Sequence, residues 1–179
     1  ERVMKRLFAV TLIVLLAGSL AFAGGDQEGG AIKIAVAGPH SGDLASYGLP
    51  TVKAAEILVE KINADGGLLG RQVELVIEDD VCKPEVATNT AAKLVGENVA
   101  AVIGHICSGA TKAAMGIYND SGILAISPSA TNPGLTQSGD YPNFFRTIAP
   151  DDAQAALEVA FALDTLGVSK IAVLHDKGD

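Results

Sequence analysis

The chain has 179 residues, with 13 basic and 21 acidic side chains for a net charge of −8, and no cluster of lysine or arginine along it. That balance excludes a nucleic-acid partner, because phosphate neutralisation dominates such binding. Hydrophobic residues make up 49% and aromatics only 4%, the composition of Val/Ile/Ala-rich strands under Ala-rich helices.

Lys5 and Arg6 precede an apolar run over residues 7–20, and Ala21-Phe22-Ala23 supplies small residues at the two positions a signal peptidase reads. The expected reading is a secretory signal over residues 1–23 with Met4 as initiator, cleaved after Ala23. The competing reading is a membrane anchor, but crossing a bilayer takes about 20 apolar residues, more than this run offers. No Cys follows the run, so nothing suggests a lipid-anchored N-terminus. Residues 24–30, Gly-rich and polar, read as a tether.

Ile32-Lys-Ile-Ala-Val-Ala37 predicts the first strand, ended by Gly38-Pro39-His40-Ser41-Gly42. A helix of about 16 residues is expected from Leu49 or Pro50, with Val52, Ala55, Val59 and Ile62 at helical spacing and Gly66-Gly67 as its stop. Residues 73–77 predict the second strand, with Glu78-Asp79-Asp80 as polar exit. Pro84 suits the first position of a second helix, which carries Ala87, Ala91, Leu94 and Val95 inward. Residues 99–103 read as a strand buried on both faces. After Gly104 a helix opens near Ser108, with Ala110, Ala114 and Ile117 as its packing face.

Residues 123–126 predict a fourth strand, followed by the turn-rich Ser127-Pro-Ser-Ala-Thr-Asn-Pro-Gly134. Residues 144–147 read as a short extended segment. Asp151 and Gln154 have capping-box spacing for a helix bearing Leu157 and Phe161, and residues 171–174 predict a last strand. Alternating strands and helices with short connections predict an α/β fold, a doubly wound parallel sheet covered on both faces. The pattern restarts near residue 150. Residues 31–149 are therefore expected to form an N-terminal α/β lobe and residues 150–179 the beginning of a second, truncated lobe, since one helix and one strand cannot bury their own apolar faces.

Four loops leave the carboxyl edge of such a sheet: residues 38–47, 79–82, 104–108 and 127–132. They offer the hydroxyls of Ser41, Tyr47, Ser108, Ser129 and Thr131 with few charges, an inventory for holding a small zwitterion by hydrogen bonds. At the start of its helix, Ser108 is the leading candidate for gripping an anion, most plausibly a carboxylate. The simpler reading is that Ser108 only caps that helix. Asp79 and Asp80 read as solvated strand-end charges, or as ordering the adjacent loop.

The two cysteines, Cys82 and Cys107, fall past the ends of consecutive strands and so on one edge of the sheet. In an exported chain a lone pair is expected to form a disulfide, with free or metal-bound thiols as the alternative. His40, His105 and His175 have no metal-ligand spacing and read as loop or cap histidines. The segment Gly104 to Thr111 lacks the P-loop lysine, which is Ala110 here, and neither G-x-G-x-x-G nor G-x-S-x-G occurs. No cofactor and no catalytic group is therefore expected.

Ser41-Gly42, Tyr47-Gly48, Ile62-Asn-Ala-x-Gly-Gly67, Asp79-Asp80-x-Cys82, Val102-Ile-Gly-His-x-Cys-Ser108, Ser127-Pro-x-Ala-Thr131, Phe145-Arg-Thr147 and Ile171-Ala-Val-Leu-His-Asp-Lys177, in this order, resemble the periplasmic branched-chain amino acid binding proteins of ABC importers. The resemblance runs from about residue 31 to the last residue. It implies two α/β lobes that close on a leucine, isoleucine or valine, a monomeric periplasmic receptor, and a membrane permease as partner. It also implies a Cys82–Cys107 disulfide. Ser108 and the backbone of Thr131 would hold the α-carboxylate, and the Ser129 carbonyl and Thr131 hydroxyl the ammonium. Tyr47 and Ile106 would line the side-chain pocket, and Ala130, between Ser129 and Thr131, would belong to the ligand-binding set. Where relatives often carry Ala, this chain has Ser129. The competing functions are an extracellular amino-acid sensor module and an exported hydrolase.

Overall fold

The computed structural model describes residues 30–174; the expected signal segment, nearly all of the tether and His175 lie outside them. The strands are β1 (Ile32–Gly38), β2 (Val73–Asp79), β3 (Ala101–Ile103), β4 (Leu124–Ser127) and β5 (Phe144–Arg146). They alternate with α1 (Ala45–Ala64), α2 (Pro84–Gly96), α3 (Ser108–Asp120), the one-turn α4 (Gly134–Gln137) and α5 (Asp151–Ala160), which runs into a π-helical turn, Phe161–Thr165. All strand pairs are parallel and the order is β2-β1-β3-β4-β5. The short segment read at residues 144–147 is thus a full sheet member, paired to β4 through Ala125↔Phe144.

Right-handed crossovers put α1 on one face and α2 and α3 on the other, because the chain steps to opposite sides of β1. On the second face Ala91, Leu94, Ala114 and Met115 pack with Ala35, Ala37, Val102 and Ala125 into the core. Alanines on both helix and strand let the layers approach closely. On the first face α1 packs against β1 and β2. The Asn63 side chain pins its last turn to the sheet, donating from Nδ2 to the Val73 carbonyl and accepting the Val73 N–H, both at 2.8 Å.

Five expectations are corrected. Coverage on both faces is complete only over the carboxyl half of β1. Ile77 of β2 is 42% exposed, Leu124, Ile126 and Phe145 stand 37–49% exposed, and in β3 only Val102 is buried. The first helix begins at Ala45, leaving Pro50 inside it. The upstream turn forms because Gly48 seats the chain on the first loop: a Cβ there would lie 2.1 Å from the Pro39 carbonyl oxygen. No capping box forms at residue 151; Pro150 precedes the helix, and Gln154 bonds Glu158 instead. Residues 171–174 make no strand among the described residues. Apolar propensity cannot hold a strand without a neighbour to pair with, and Leu174 is 95% exposed. Asp80 is fully buried rather than solvated, which leaves the other reading, that it orders the adjacent loop.

Gly48 and Gly116, each inside a helix, make a matched test. Gly48→Ala should lower the unfolding free energy by about 1–3 kcal/mol through the clash with Pro39. Gly116→Ala, with no atom near the added Cβ, should raise it by about 0.5–1 kcal/mol. Urea titrations of both variants against wild type check the opposite signs.

Candidate functional site

The direction of winding reverses between β1 and β3, and in open parallel sheets ligands bind in the crevice outside the carboxyl ends at that point. The loops after β1 and β3 flank the crevice, with those after β2 and β4 beside them. Gly104 allows the tight exit from β3. Its φ is +131°, and a Cβ there would lie 2.0 Å from the Ala37 carbonyl oxygen.

The loop after β2 is organised by its two aspartates. Asp79 accepts from the N–H groups of His40 and Val81, both at 2.9 Å, and from the Ser41 hydroxyl. Desolvation raises its pKa, but these three donors outweigh it and hold the carboxyl below its usual range. Asp80 accepts the Cys82 N–H at 2.8 Å. Val81 and Cys82 both sit at positive φ, 45° and 56°, a region costly for a β-branched residue. The carboxylates offset that cost by capturing the two N–H groups that the conformation turns inward. Burial holds the His40 imidazole below its ordinary pKa, against the pull of Asp79, Asp80 and Glu78.

The second oxygen of Asp80 meets His105 Nδ1 at 2.5 Å, and His105 Nε2 meets the Tyr118 hydroxyl at 3.0 Å. All three side chains are at most 1% exposed. Burial, then the Asp80 charge, pushes the Tyr118 phenol up, so it keeps its proton. Cys82 and Cys107 form a disulfide, with Cα atoms 5.5 Å apart, tying the same two loops together. His105, a loop histidine as read from the sequence, and Asp80 are thus a buried pair that ties two loops together.

Ser108 is the first residue of α3, and its hydroxyl makes no cap bond; Cys107 holds the cap position. The hydroxyl instead accepts the Asn132 N–H at 3.1 Å, across to the loop after β4. One lone pair is so used and the proton stays free to donate. The N–H groups of the first turn of α3 lack intrahelical acceptors and point the same way. In the facing loop, Ser127 Oγ donates to the His105 carbonyl at 2.5 Å and accepts the Ser129 and Ala130 N–H groups at 3.2 and 2.9 Å. Arg146, at the end of β5, donates to the carbonyls of Ala130 and Asn132 at 3.3 and 2.9 Å and to the Thr136 hydroxyl.

Of the residues singled out from sequence, Ser108, Ser129 and Thr131 are brought together on two facing loops. The Ser129 and Thr131 hydroxyls bond no protein group among the described residues, and both residues are half-buried. Tyr47 lies in the first turn of α1 rather than on a loop, 65% exposed. Ile106 is buried, and its side chain faces inward onto Gly38, where a Cβ would lie 2.6 Å from Ile106 Cγ1. Ala130 is buried too, its N–H given to Ser127 and its carbonyl to Arg146. A depression of about 460 Å³ opens beside Ser108 and Asn132, walled by Pro84, Lys112 and Tyr141. Sequence reasoning did not assign roles to Ser127, Tyr118 or Arg146. The one available signal was Arg146 standing between Phe145 and Thr147 at a strand's carboxyl end.

A family model described as periplasmic binding protein matches residues 31–179. The chain belongs to that family. Among periplasmic binding proteins it is 42% identical over 174 residues to a leucine-, isoleucine-, valine-, threonine- and alanine-binding protein of Pseudomonas aeruginosa, covering 97% of this chain and 45% of the relative. It is 41% identical over 164 residues to the Leu/Ile/Val-binding protein of Escherichia coli, covering 91% and 44%. The isoleucine complex of LivJ, the branched-chain amino acid transporter substrate-binding protein of Streptococcus pneumoniae, matches with a TM-score of 0.70 at 37% identity, over 76% of this chain and 39% of that one. A substrate-binding protein of Desulfitobacterium hafniense in complex with Leu gives 0.62 at 34% identity, over the same shares. The chain thus spans less than half the length of the curated relatives it matches.

Two outcomes follow for the loop after β2. Replacing both cysteines by alanine should remove about 3 kcal/mol of stability, read from the urea midpoint of the unreduced protein. The contribution of Asp79 should be fully present above the unfolded carboxyl pKa of 3.8 and lost as pH falls below it, because its folded pKa is the lower one. The stability gap between wild type and Asp79→Asn, measured from pH 7 down to pH 2, should therefore close on the acid side.

Proposed function

We propose that this chain is the amino-terminal part of an extracytoplasmic receptor that captures a branched-chain or other aliphatic amino acid and delivers it to the permease of an ABC importer. The observation that carries the reading is the Ser108 hydroxyl, which accepts from Asn132 and keeps its proton for an anion at the start of a helix. In this reading the Ser108 hydroxyl and N–H and the Thr131 N–H hold the α-carboxylate. The Ser129 carbonyl and Thr131 hydroxyl take the ammonium, Tyr47 walls the side chain, and Ile106 backs the floor from beneath. The relatives named as binding leucine, isoleucine and valine support the ligand class.

Residues 31–149 form the first lobe and residues 150–179 begin the second. Supporting this division, α5 buries none of its residues, and it leaves the first lobe through the Asp151 N–H donated to the Thr131 carbonyl at 3.0 Å. Ligand bound to one lobe makes further contacts when the other closes over it, which shifts an open–closed equilibrium that the permease reads. Residues 1–23 direct export, and the receptor works as a monomer in the periplasm without chemical turnover.

Calorimetric titration of the full-length gene product with leucine, isoleucine and valine tests the reading. A saturable heat with at least one is expected, and silence with all three overturns it. Ser108→Ala should weaken that binding by about 1–3 kcal/mol, because the carboxylate loses a donor it cannot replace.

A further inference from the structure

The Asp80–His105–Tyr118 chain is expensive to build and adds little as an anchor alone. Polar groups this deeply buried cost several kcal/mol unless each finds its partners, and an apolar trio of the same shape could hold the loops as firmly. What an apolar trio could not do is set the rotation of the residue at position 105. With Nδ1 against Asp80 and Nε2 against Tyr118, the His105 ring is held at both ends. Its own carbonyl, one short segment of backbone away, then has one direction.

That carbonyl takes the hydroxyl of Ser127 at 2.5 Å and that of Thr111 at 3.3 Å. Ser127 has nothing left over: its proton goes to His105, and its lone pairs go to the N–H groups of Ser129 and Ala130. The turn that presents Ser129 and Thr131 is therefore tied at its start to the carbonyl of a residue in the other loop, while Arg146 and the Asp151 N–H hold its carbonyls from the far side. Ser108 closes the ring of contacts by accepting from Asn132. We propose that His105 is a positioning residue for ligand recognition, its ring anchored by Asp80 and Tyr118 and its carbonyl setting, through Ser127, where Ser129 and Thr131 stand. This rests on the amino-acid-binding reading above.

The test uses the 15N-labelled full-length gene product, with leucine as probe, and the variants Tyr118→Phe, Ser127→Ala and their combination. Tyr118→Phe removes only the hydroxyl that holds His105 Nε2. Each single variant should weaken leucine binding roughly ten-fold, the loss of about one buried hydrogen bond. The double variant should bind no more weakly than the worse single one, because both cut the same chain through their shared partner His105. The amide resonances of Ser129 and Ala130 should shift and exchange faster in Tyr118→Phe, although the hydroxyl removed touches neither. Unmoved Ser129 and Ala130 resonances, or affinity losses that add, overturn the proposal. If Tyr118→Phe does not fold, Ser127→Thr decides: it keeps the hydroxyl and should restore affinity lost in Ser127→Ala, and equal affinities of the two overturn the proposal. A wild type blind to leucine, isoleucine and valine, with the amide response present, removes the ligand class while supporting the link from residue 118 to residue 129.

Discussion

Parallel strands cannot be joined by hairpins, so each strand from β1 to β4 sends a loop out at its carboxyl end and the chain returns by a helix to begin the next. The order β2-β1-β3-β4-β5 makes the first two crossovers run in opposite directions from β1. Helices that leave on opposite faces cannot meet above the sheet, and a crevice stays open between the loops after β1 and β3. Both the stability of those loops and their use follow from this constraint. They cannot be covered by the fold's own helices, so their polar groups are satisfied by one another or stay open to water and to a ligand that replaces it.

Most of that satisfaction is mutual and runs between loops rather than within them. Asp79 and Asp80 collect the N–H groups of a loop bent through two positive-φ residues, and Asp80 then reaches across to His105. Ser127 and Arg146 do the same for the loop after β4, one from beneath through a hydroxyl, the other from the sheet edge through a guanidinium whose Nη1 serves two carbonyls while Nη2 donates to the Thr136 hydroxyl. Among the described residues, both ring nitrogens of His40 are buried without a partner in the loop after β1, and around Ser108 the unbonded groups are the hydroxyls of Ser129 and Thr131, the proton of Ser108 and the first-turn amides of α3. These are hydrogen-bonding groups suited to a ligand with a charged head and an uncharged tail.

Burial makes these pairings consequential. The partners of His105 lie in a dry interior, where an unmet polar atom costs about 1–3 kcal/mol, whereas exposed pairs such as Lys53–Glu56 contribute little. The same contrast separates the two ends of the described chain. α2 and α3 bury their apolar residues against the sheet, while the apolar residues of α5, Leu157 and Val159 among them, stay exposed.

The local pattern of the chain was enough to read the alternation of strands and helices, the packing faces of α2 and α3, the hydroxyl-rich loops, the paired cysteines and the ordered motifs of the family. Each of these is carried by residues close together in sequence, through periodicity, turn chemistry or spacing. It could not tell that Asp80 is buried rather than solvated, that Ile106 turns inward onto Gly38, that the Ser108 hydroxyl serves Asn132 rather than its own helix, or that residues 171–174 form no strand. Those outcomes depend on which strand lies beside which and on which groups meet across 22 to 25 residues of chain, as at Ser127–His105 and His105–Asp80. Strand order and crossover direction bring such groups together, and only the folded sheet decides whether a carboxylate meets water or an imidazole.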